Sequence, residues 1–243
     1  MISEKRFDFL LLSLTVLVLS LSSGRAWGRT QTFIGKAFDE TGVLEYIERH
    51  DIVHEGNSVL TSHTTYVGPN KSVIGYLSSE YAPLPQFCSY IFKDLRRQYE
   101  DGVRLKEDRV CLFRKVVPEV EEETLCLPKE EKQIIGQGFH HFIRSHLDSI
   151  AEGKVFHVKL VLPSRLDQAD FRILKKKTEG NSIWIRLEID NWLIRFFAPF
   201  MDVLYDRESG RLLSYEGISN VADASGRFKK VKINYSYEPF DHD

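Results

Sequence analysis

The sequence has few cysteines and methionines, and it carries no cofactor-binding signature. The 243 residues include three cysteines and two methionines. No phosphate-binding glycine loop, dinucleotide-binding glycine pattern, CxxC pair or GxSxG nucleophile elbow occurs in it. The formal net charge is −2, and the lysines and arginines are spread among acidic residues, so nothing in the sequence would recruit nucleic acid. These absences argue against the common cofactor-dependent enzymes, and we expect no cofactor.

Long apolar runs are missing except near the N-terminus. Two basic residues precede an apolar run over residues 9–21, and a small-residue segment ending at Gly28 follows it. This order is typical of a secretory signal. As a helix the run would be about 20 Å long, short of the roughly 30 Å hydrocarbon core of a membrane. We therefore predict a signal peptide over residues 1–28 that is cleaved after Gly28 rather than retained as an anchor. The rest of the chain would be periplasmic and not integral to the membrane.

Turn-forming clusters divide the remaining chain at strand-length spacing. The predicted strands of a first meander cover residues 33–38, 43–54, 59–67 and 72–77, and a second meander fills residues 155–237. Residues 231–237 alternate apolar and polar side chains, which is typical of a strand with one buried face. Residues 87–99 fit either a helix or a strand, and Glu100-Asp101-Gly102 predicts the end of that element.

The register of the second meander depends on one loop. Phe171 and Ile173 share a face with Ile183 and Ile185 only if the loop around residues 178–181 has an odd number of residues, because a one-residue slip reverses the faces of a strand. We expect the odd loop.

A single amphipathic helix is predicted over residues 137–151. Five apolar residues fall on one stripe at helical spacing: Phe139, Phe142, Ile143, Leu147 and Ile150. The predicted fold is therefore mainly β, a curved antiparallel sheet of about ten or eleven strands, half-barrel-like, packed on this helix. We expect one domain over residues 29–243, with residues 118–136 as the only reasonable place for a subdivision.

Two of the three cysteines flank a predicted hairpin. A two-residue loop at Pro118-Glu119 puts Cys111 opposite Cys126, and cross-strand neighbours are close enough for a disulfide. The alternative is a pair of buried free thiols. Cys88 is left over and is interpreted as a small buried apolar residue.

The histidines raise a metal-binding hypothesis. If Gly56-Asn57 forms a two-residue loop, His50 faces His63, and Glu48 lies on the same face two residues along. Two imidazoles and a carboxylate can bind Zn²⁺. The plainer interpretation is a pair of exposed histidines on the wet face of a hairpin. The helix histidines His140 and His141 are adjacent, so they point about 100° apart and do not easily share a metal.

Aromatic side chains suggest a lining for an apolar ligand. The candidates are Phe139, Phe142, Trp192, Phe196 and Phe197. The alternative is that these aromatic residues simply fill the core under the sheet. Arg165 and Asp167 follow a buried-looking strand and are candidates for a polar rim of the cavity, or else for a salt-bridged turn between two strands.

Three stretches carry a resemblance to known proteins, and they read LEYIERH, LVLPSRLDQADFRIL and DNWLIRFFAPFMDVLYDRESGRLLSYEGISNVADASG. In these stretches, and over most of the chain after residue 28, the sequence resembles an uncharacterised family of exported proteins of Gram-negative bacteria. That family has no established activity, so the resemblance implies an exported protein and assigns no functional residue. A signal peptide followed by a long meander with a packed helix is also similar, in layout only, to the half-barrel of lipoprotein carriers.

The leading hypothesis is a periplasmic, non-enzymatic binding or carrier protein for an apolar, lipid-like ligand. A sheet curved over a helix leaves an apolar interior, which either packs fully or holds a ligand. One alternative is an envelope structural or protein-interaction module that binds another envelope protein. A second alternative is a zinc-binding protein or a hydrolase that uses the histidines.

Overall fold

The computed structural model describes residues 29–117, 119–195, 200–223 and 225–237, without the side chains of residues 194 and 195. The predicted signal peptide and its cleavage point lie outside the described residues. Strands β1 to β8 are Arg29–Phe38, Leu44–Glu55, Ser58–Val67, Val73–Tyr81, Cys88–Asp94, Tyr99–Leu105, Arg109–Lys115 and Glu123–Pro128. Strands β9 to β15 are Gln133–Ile135, Phe156–Leu162, Asp167–Glu179, Ser182–Ile189, Met201–Asp206, Leu212–Ala222 and Phe228–Tyr237. The helices are α1 (Gly138–Ser145), α2 (Leu147–Ala151) and α3 (Trp192–Arg195), and a 3₁₀ turn covers Pro163–Arg165.

All fifteen strands of the described residues belong to one sheet. From one edge the order runs from β8 back to β1, and then from β15 back to β9. Every neighbouring pair is antiparallel except β9 and β10, so the mainly β, antiparallel prediction is confirmed. The sheet has more strands than the ten or eleven predicted. The chain passes from one edge of the sheet to the other between β8 and β9, within the stretch considered for a subdivision.

The sheet curls until its two ends meet. Cys88 of β5 and Leu112 of β7 share a buried apolar cluster with Ile135 of β9 and Val161 of β10. The backbone N–H of Ile135 also donates a hydrogen bond of 3.1 Å to the carbonyl oxygen of Gln86. The curled sheet therefore encloses an interior, and the helix pair α1 and α2 occupies part of it.

Two further apolar clusters fill the interior. In the first, Ile143 and Ile150 of the helices pack on the inner faces of β10 to β14. The second is rich in tyrosine and includes Tyr46 and Tyr66, whose rings make an edge contact at 5.9 Å between centroids.

The predicted helix is broken into two pieces at His146. Its backbone has φ −120° and ψ 14°, outside the helical region. The carbonyl oxygen of Phe142 accepts a hydrogen bond of 2.9 Å from the Ser145 hydroxyl, and His146 Nδ1 lies at the same distance from it. Such side-chain bonds compete with the helical hydrogen-bond ladder, which accounts for the break.

A β-bulge sets the register between β11 and β12. The turn has two residues, Gly180 and Asn181, because Glu179 pairs with Ser182. The bulge between Lys175 and Lys177 then adds one residue to β11. Phe171 and Ile173 therefore share a face with Ile183 and Ile185, as predicted. The expected odd number of loop residues is wrong, because the turn has two.

The ambiguous segment over residues 87–99 is part of a hairpin formed by β5 and β6. The expected end at Glu100-Asp101-Gly102 is wrong, since these residues lie inside β6. A Cβ atom added to Gly102 would overlap the carbonyl oxygen of Tyr90 and approach the ring of Phe113. Gly102 is therefore required for close strand packing and not for a turn.

Candidate ligand-binding cavity

A cavity of about 280 Å³ opens at one end of the curled sheet. We call it the mouth cavity. It lies between α1 and the strand ends formed by the start of β1, the end of β2, the start of β3, the turn from β13 to β14 and the end of β15. Its apolar lining consists of Phe33, Ile52, Val59 and Tyr237. The first and last described residues of the chain, Arg29 and Tyr237, both border it.

One wall of the mouth cavity is a column of stacked groups. The guanidinium carbon of Arg211 lies 5.0 Å from the centre of the Tyr237 ring. The Tyr237 and Phe33 rings stack with 4.8 Å between centroids, and Phe33 stacks on His50 at 4.3 Å. Packing of this kind holds flat groups in fixed positions, so this wall is preformed.

Three arginines from different elements line the mouth cavity, namely Arg29 of β1, Arg144 of α1 and Arg211 of the β13–β14 turn. No Asp or Glu is among the described residues that line it. Gly210 has φ +65°, and a Cβ added there would come within 3.2 Å of Arg144 Nε. The glycine therefore both forms the turn and lets Arg144 lie against it.

The three histidines of the mouth cavity favour their neutral form. Burial, followed by the charge of Arg144, lowers the pKa of His141 from 6.5 to about 4. Burial, followed by the charges of His141 and Arg144, lowers the pKa of His140 well below its usual value. The pKa of His54 is also lowered, by burial first and then by Arg144 and Arg29. At neutral pH the positive charge of the cavity therefore comes from the arginines.

His54 carries an unsatisfied polar atom. Its Nε2 is buried and has no hydrogen-bond partner among the described residues. A buried polar atom in this state costs about 1–3 kcal/mol. By contrast, His140 Nδ1 lies 2.9 Å from the hydroxyl of Tyr205. His54 lines the mouth cavity, but this nitrogen is itself buried and is not accessible from the open space.

A polar network lies beneath the mouth cavity and holds α1 in place. Gln137, which precedes α1, accepts a hydrogen bond of 2.7 Å from Ser62 and donates one of 3.2 Å to Thr64 Oγ1. Thr64 Oγ1 lies 2.9 Å from His50 Nδ1, and His50 Nε2 lies 3.0 Å from the buried carboxylate of Glu48. With the threonine hydroxyl donating to His50, the network runs in one direction from helix to carboxylate.

The proposed zinc ligands are not brought together. Gly56-Asn57 does form the two-residue turn, because Glu55 pairs with Ser58, but a bulge shifts the pairing beyond it. His50 consequently pairs with Thr64 and points inward, while His63 pairs with Asp51. His63 is exposed, and its Nδ1 lies 2.9 Å from Ser78 Oγ on the outer face. The prediction that His50 faces His63 is wrong. No group of three or more metal-ligating side chains occurs in the described part of the chain.

The aromatic lining predicted from the sequence does not border the mouth cavity. Phe139 and Phe142 are half-buried and pack against the cluster on β10 to β14. Trp192 is 67% exposed on α3 and neither fills the core nor lines the cavity. Phe196 and Phe197 lie outside the described residues. The apolar stripe of α1 is used for packing, and the cavity lies on the face that carries His140, His141 and Arg144.

The polar rim candidates also lie elsewhere. Arg165 and Asp167 are exposed around the 3₁₀ turn, and neither borders the mouth cavity. The neighbouring carbonyl oxygen of Ser164 accepts a hydrogen bond of 2.9 Å from Arg114 of β7. This turn therefore helps to join the two ends of the sheet.

The cysteines take one of the two arrangements that the sequence left open. Cys111 of β7 lies opposite Cys126 of β8, and a disulfide joins them. Cys88 is free and buried, and burial raises the pKa of its thiol to about 12. Its Sγ donates a hydrogen bond of 3.2 Å to the carbonyl oxygen of Ile135. A buried thiol of this kind has a structural role and little reactivity.

The residues that line the mouth cavity were missed because they come from distant parts of the sequence. Arg29 and Gln31 continue the inward-facing alternation of β1 to its polar end, which is the one local signal available. His54 continues the inward row of β2 in the same way. Nothing local indicates that Arg144 or Arg211 would join them.

None of the helices within the described ranges is long and apolar enough to cross a membrane. No protein-family model matches the chain, and no curated protein matches it. Among solved structures, the chain is similar to a β-barrel-like protein of a domain of unknown function, DUF1849, from Brucella abortus. The TM-score is 0.49 at 10% sequence identity, over 87% of this chain and 98% of that chain. A likeness at this level transfers no residue role to this chain.

Proposed function

We propose that the protein is a periplasmic, non-enzymatic binding or carrier protein that holds a small amphipathic molecule in the mouth cavity. The observation that carries this proposal is that α1 leaves the end of the curled sheet unfilled. Ligand sites in proteins are concave, and the mouths of β-barrels are among the places where they occur. A cavity of about 280 Å³ is close in size to the smaller ligand pockets of proteins, which begin near ~300 Å³.

The chemistry of the lining fits an amphipathic occupant. Phe33, Ile52 and Val59 offer an apolar surface, while Gln31 and Arg144 line the same cavity with polar groups. Binding sites commonly combine apolar walls with a few placed polar groups. The purely lipid-like ligand expected from the aromatic residues is thus replaced by a ligand with a polar head.

The hydroxyl groups near the helix histidines support a binding role over a hydrolytic one. Ser209 Oγ donates a hydrogen bond of 2.7 Å to Asp206, and Ser145 Oγ donates to the carbonyl oxygen of Phe142. Ser145 Oγ lies 3.1 Å from His146 Nδ1, but that nitrogen is 2.9 Å from the Phe142 carbonyl oxygen and must carry a proton to bond it, so it cannot act as the base. A nucleophilic serine needs an adjacent base that is itself oriented by a third group.

Export is supported by two features. The N-terminal segment has the order of a secretory signal. The Cys111–Cys126 disulfide belongs in an oxidising compartment, because disulfides persist outside the cytosol.

The test uses a variant that fills the mouth cavity. Gln31 lines the cavity, while its neighbour Thr30 is exposed on the same strand. Gln31→Trp adds bulk inside, and Thr30→Trp adds the same bulk outside. Each protein is purified without detergent from the cell envelope and measured by native mass spectrometry, with analysis of an organic extract.

The wild-type protein and Thr30→Trp are expected to carry a bound molecule that Gln31→Trp lacks. A wild-type protein that emerges empty would contradict the proposal. So would a bound molecule retained equally by all three proteins.

A further inference from the structure

We propose that the edge strand β8 pairs with β8 of a second copy of this chain, so that two sheets join across a two-fold axis. This inference adds a partner to the proposed binding protein and does not depend on the mouth cavity. It rests on the way the sheet closes, on the backbone groups that β8 directs outward and on the side chains at that edge.

The sheet closes short of its own edge. The buried members of the apolar cluster that joins the two ends come from the β5 to β7 side and from β9 and β10, while β8 adds only the partly buried Leu127. Arg114 of β7 bonds to the carbonyl oxygen of Ser164, between β10 and β11. Within the described residues, β8 pairs with β7 alone. Four of its six residues are exposed, so β8 extends beyond the closure.

The outward-facing backbone groups of β8 belong to Thr124 and Cys126. The N–H of Lys129 donates to the carbonyl oxygen of Asp108, so every second residue of β8 counted from Lys129 bonds to β7. The distance of 4.0 Å between the Cα atoms of Cys111 and Cys126 fits a pair that exchanges no backbone bonds. Thr124 and Cys126 therefore direct their N–H groups outward, where no other described strand accepts from them.

The edge of β8 lacks the features that usually prevent strand addition. Natural edge strands are protected by bulges, lysines or prolines. The pairing of β7 with β8 shows no register shift, β8 contains no lysine, and its proline is the last residue. The carbonyl oxygen of Cys126 accepts one bond of 2.9 Å from the Arg109 side chain and keeps a second lone pair. The disulfide holds β8 against β7, so the edge is preformed for another strand.

A second copy of β8 fits this edge because the edge is self-complementary. An antiparallel pairing centred on Leu125 places Thr124 opposite Cys126 of the second copy, so both outward-facing residues exchange N–H···O bonds. A centre at Cys126 would place Thr124 opposite Pro128, which has no N–H to donate. A centre at Thr124 would place Cys126 opposite Glu122, outside the strand.

The side chains agree with the pairing centred on Leu125. Leu125 is 38% exposed and would meet Leu125 of the second copy in a pair without backbone bonds, where side chains approach most closely. Glu123 would face Leu127 and not another acid. Beyond the strand, the same register brings the exposed Glu121 towards Lys129 of the second copy, so opposite charges meet.

The experiment is sedimentation velocity of the purified protein from micromolar to near-millimolar concentration. A contact between two strands of six residues is smaller than a standard interface, so we expect a dimer that forms as the concentration rises. Thr124→Pro removes the outward N–H without removing a bond to β7. Thr124→Val is the matched control, because it keeps that N–H and also loses the hydroxyl bond to Glu122.

A second pair of variants tests the centre of the pairing. Leu125→Lys would place two positive charges opposite each other at the axis. Leu60→Lys is its control, because Leu60 is 40% exposed on β3, which has a strand on each side. Circular dichroism and a thiol assay check that each variant keeps its fold and its disulfide.

Wild type, Thr124→Val and Leu60→Lys are expected to dimerise alike. Thr124→Pro and Leu125→Lys are each expected to raise the dissociation constant of the dimer roughly tenfold or more, because each acts twice across the axis. A wild-type protein that stays monomeric at every concentration would overturn the inference. So would a dimer that Thr124→Pro or Leu125→Lys leaves unchanged, or one that Leu60→Lys weakens equally. None of these outcomes bears on the bound molecule of the mouth cavity.

Discussion

Histidines 54, 140 and 141 show how burial and neighbouring charge act on single side chains in this protein. Each lies beside the arginines of the mouth cavity, and each has a lowered pKa, with burial as the first cause. A neutral imidazole in a positive site can donate or accept a hydrogen bond without adding charge. The same groups make the folded state sensitive to acid.

The residue-level prediction concerns His141. Its pKa is about 4 in the folded protein and 6.5 ordinarily. Between these values the unfolded chain binds a proton that the folded protein does not, so stability falls as the pH drops from 6.5 towards 4. The loss from this residue alone is roughly 3 kcal/mol. His141→Phe keeps the edge contact with Tyr81 and should reduce the acid loss, as measured by urea unfolding across that pH range.

Asp101 provides the control because its effect on stability changes with pH in the opposite direction to that of His141. Burial raises the pKa of Asp101 to about 6, so the folded protein binds its proton between about 6 and 3.8, and acidification favours folding there. Asp101→Asn should therefore deepen the acid loss. Equal pH profiles for wild type and His141→Phe would show that His141 is not buried as a neutral group.

At the scale of elements, the strands could be predicted from the sequence, but the pairing registers of two hairpins could not, because each hairpin contains a bulge. The strand alternation and turn residues gave the strands of both meanders correctly. In β11 a bulge kept the predicted faces although the turn has an even number of residues. In β3 a bulge reversed the predicted pairing, so His63 lies on the outside. A bulge adds a residue without a dependable local signature, so hairpin registers beyond it cannot be read from turn length.

The element-level prediction concerns the attachment of α1. Gln137 bonds to Ser62 and Thr64, and Thr64 in turn contacts the buried His50. Gln137→Ala removes two side-chain hydrogen bonds and should lower the free energy of unfolding by about 2 kcal/mol. Hydrogen exchange of the α1 amides should speed up, while the amides of β11 and β12 serve as an internal reference. Unchanged exchange in α1 would mean that apolar packing alone holds the helix.

At the scale of the whole molecule, the sequence predicts the sheet and the helix but not the cavity. Periodicity identifies which face of a strand or helix is apolar, and that face of α1 does pack on the core. The cavity instead forms where the start of β1 meets the end of β15 and the polar face of α1. Its position follows from how far the sheet curls, which is a property of all fifteen strands together and leaves no local pattern.

The exposure of some apolar side chains is a second feature that could not be predicted from the sequence. Trp192 and Leu193 are 67% and 58% exposed, although an aromatic-rich segment between strands predicts core. Large apolar residues are not always inside, because a protein surface is largely apolar.

The measurement that tests the central claim most directly is a crystal structure of the protein purified from the cell envelope without detergent. The account predicts a bound molecule in the mouth cavity, in contact with Phe33 and Ile52 and beside Arg144, with α1 in place. A ligand bound instead over Trp192, or between α1 and the cluster on β10 to β14, would contradict it.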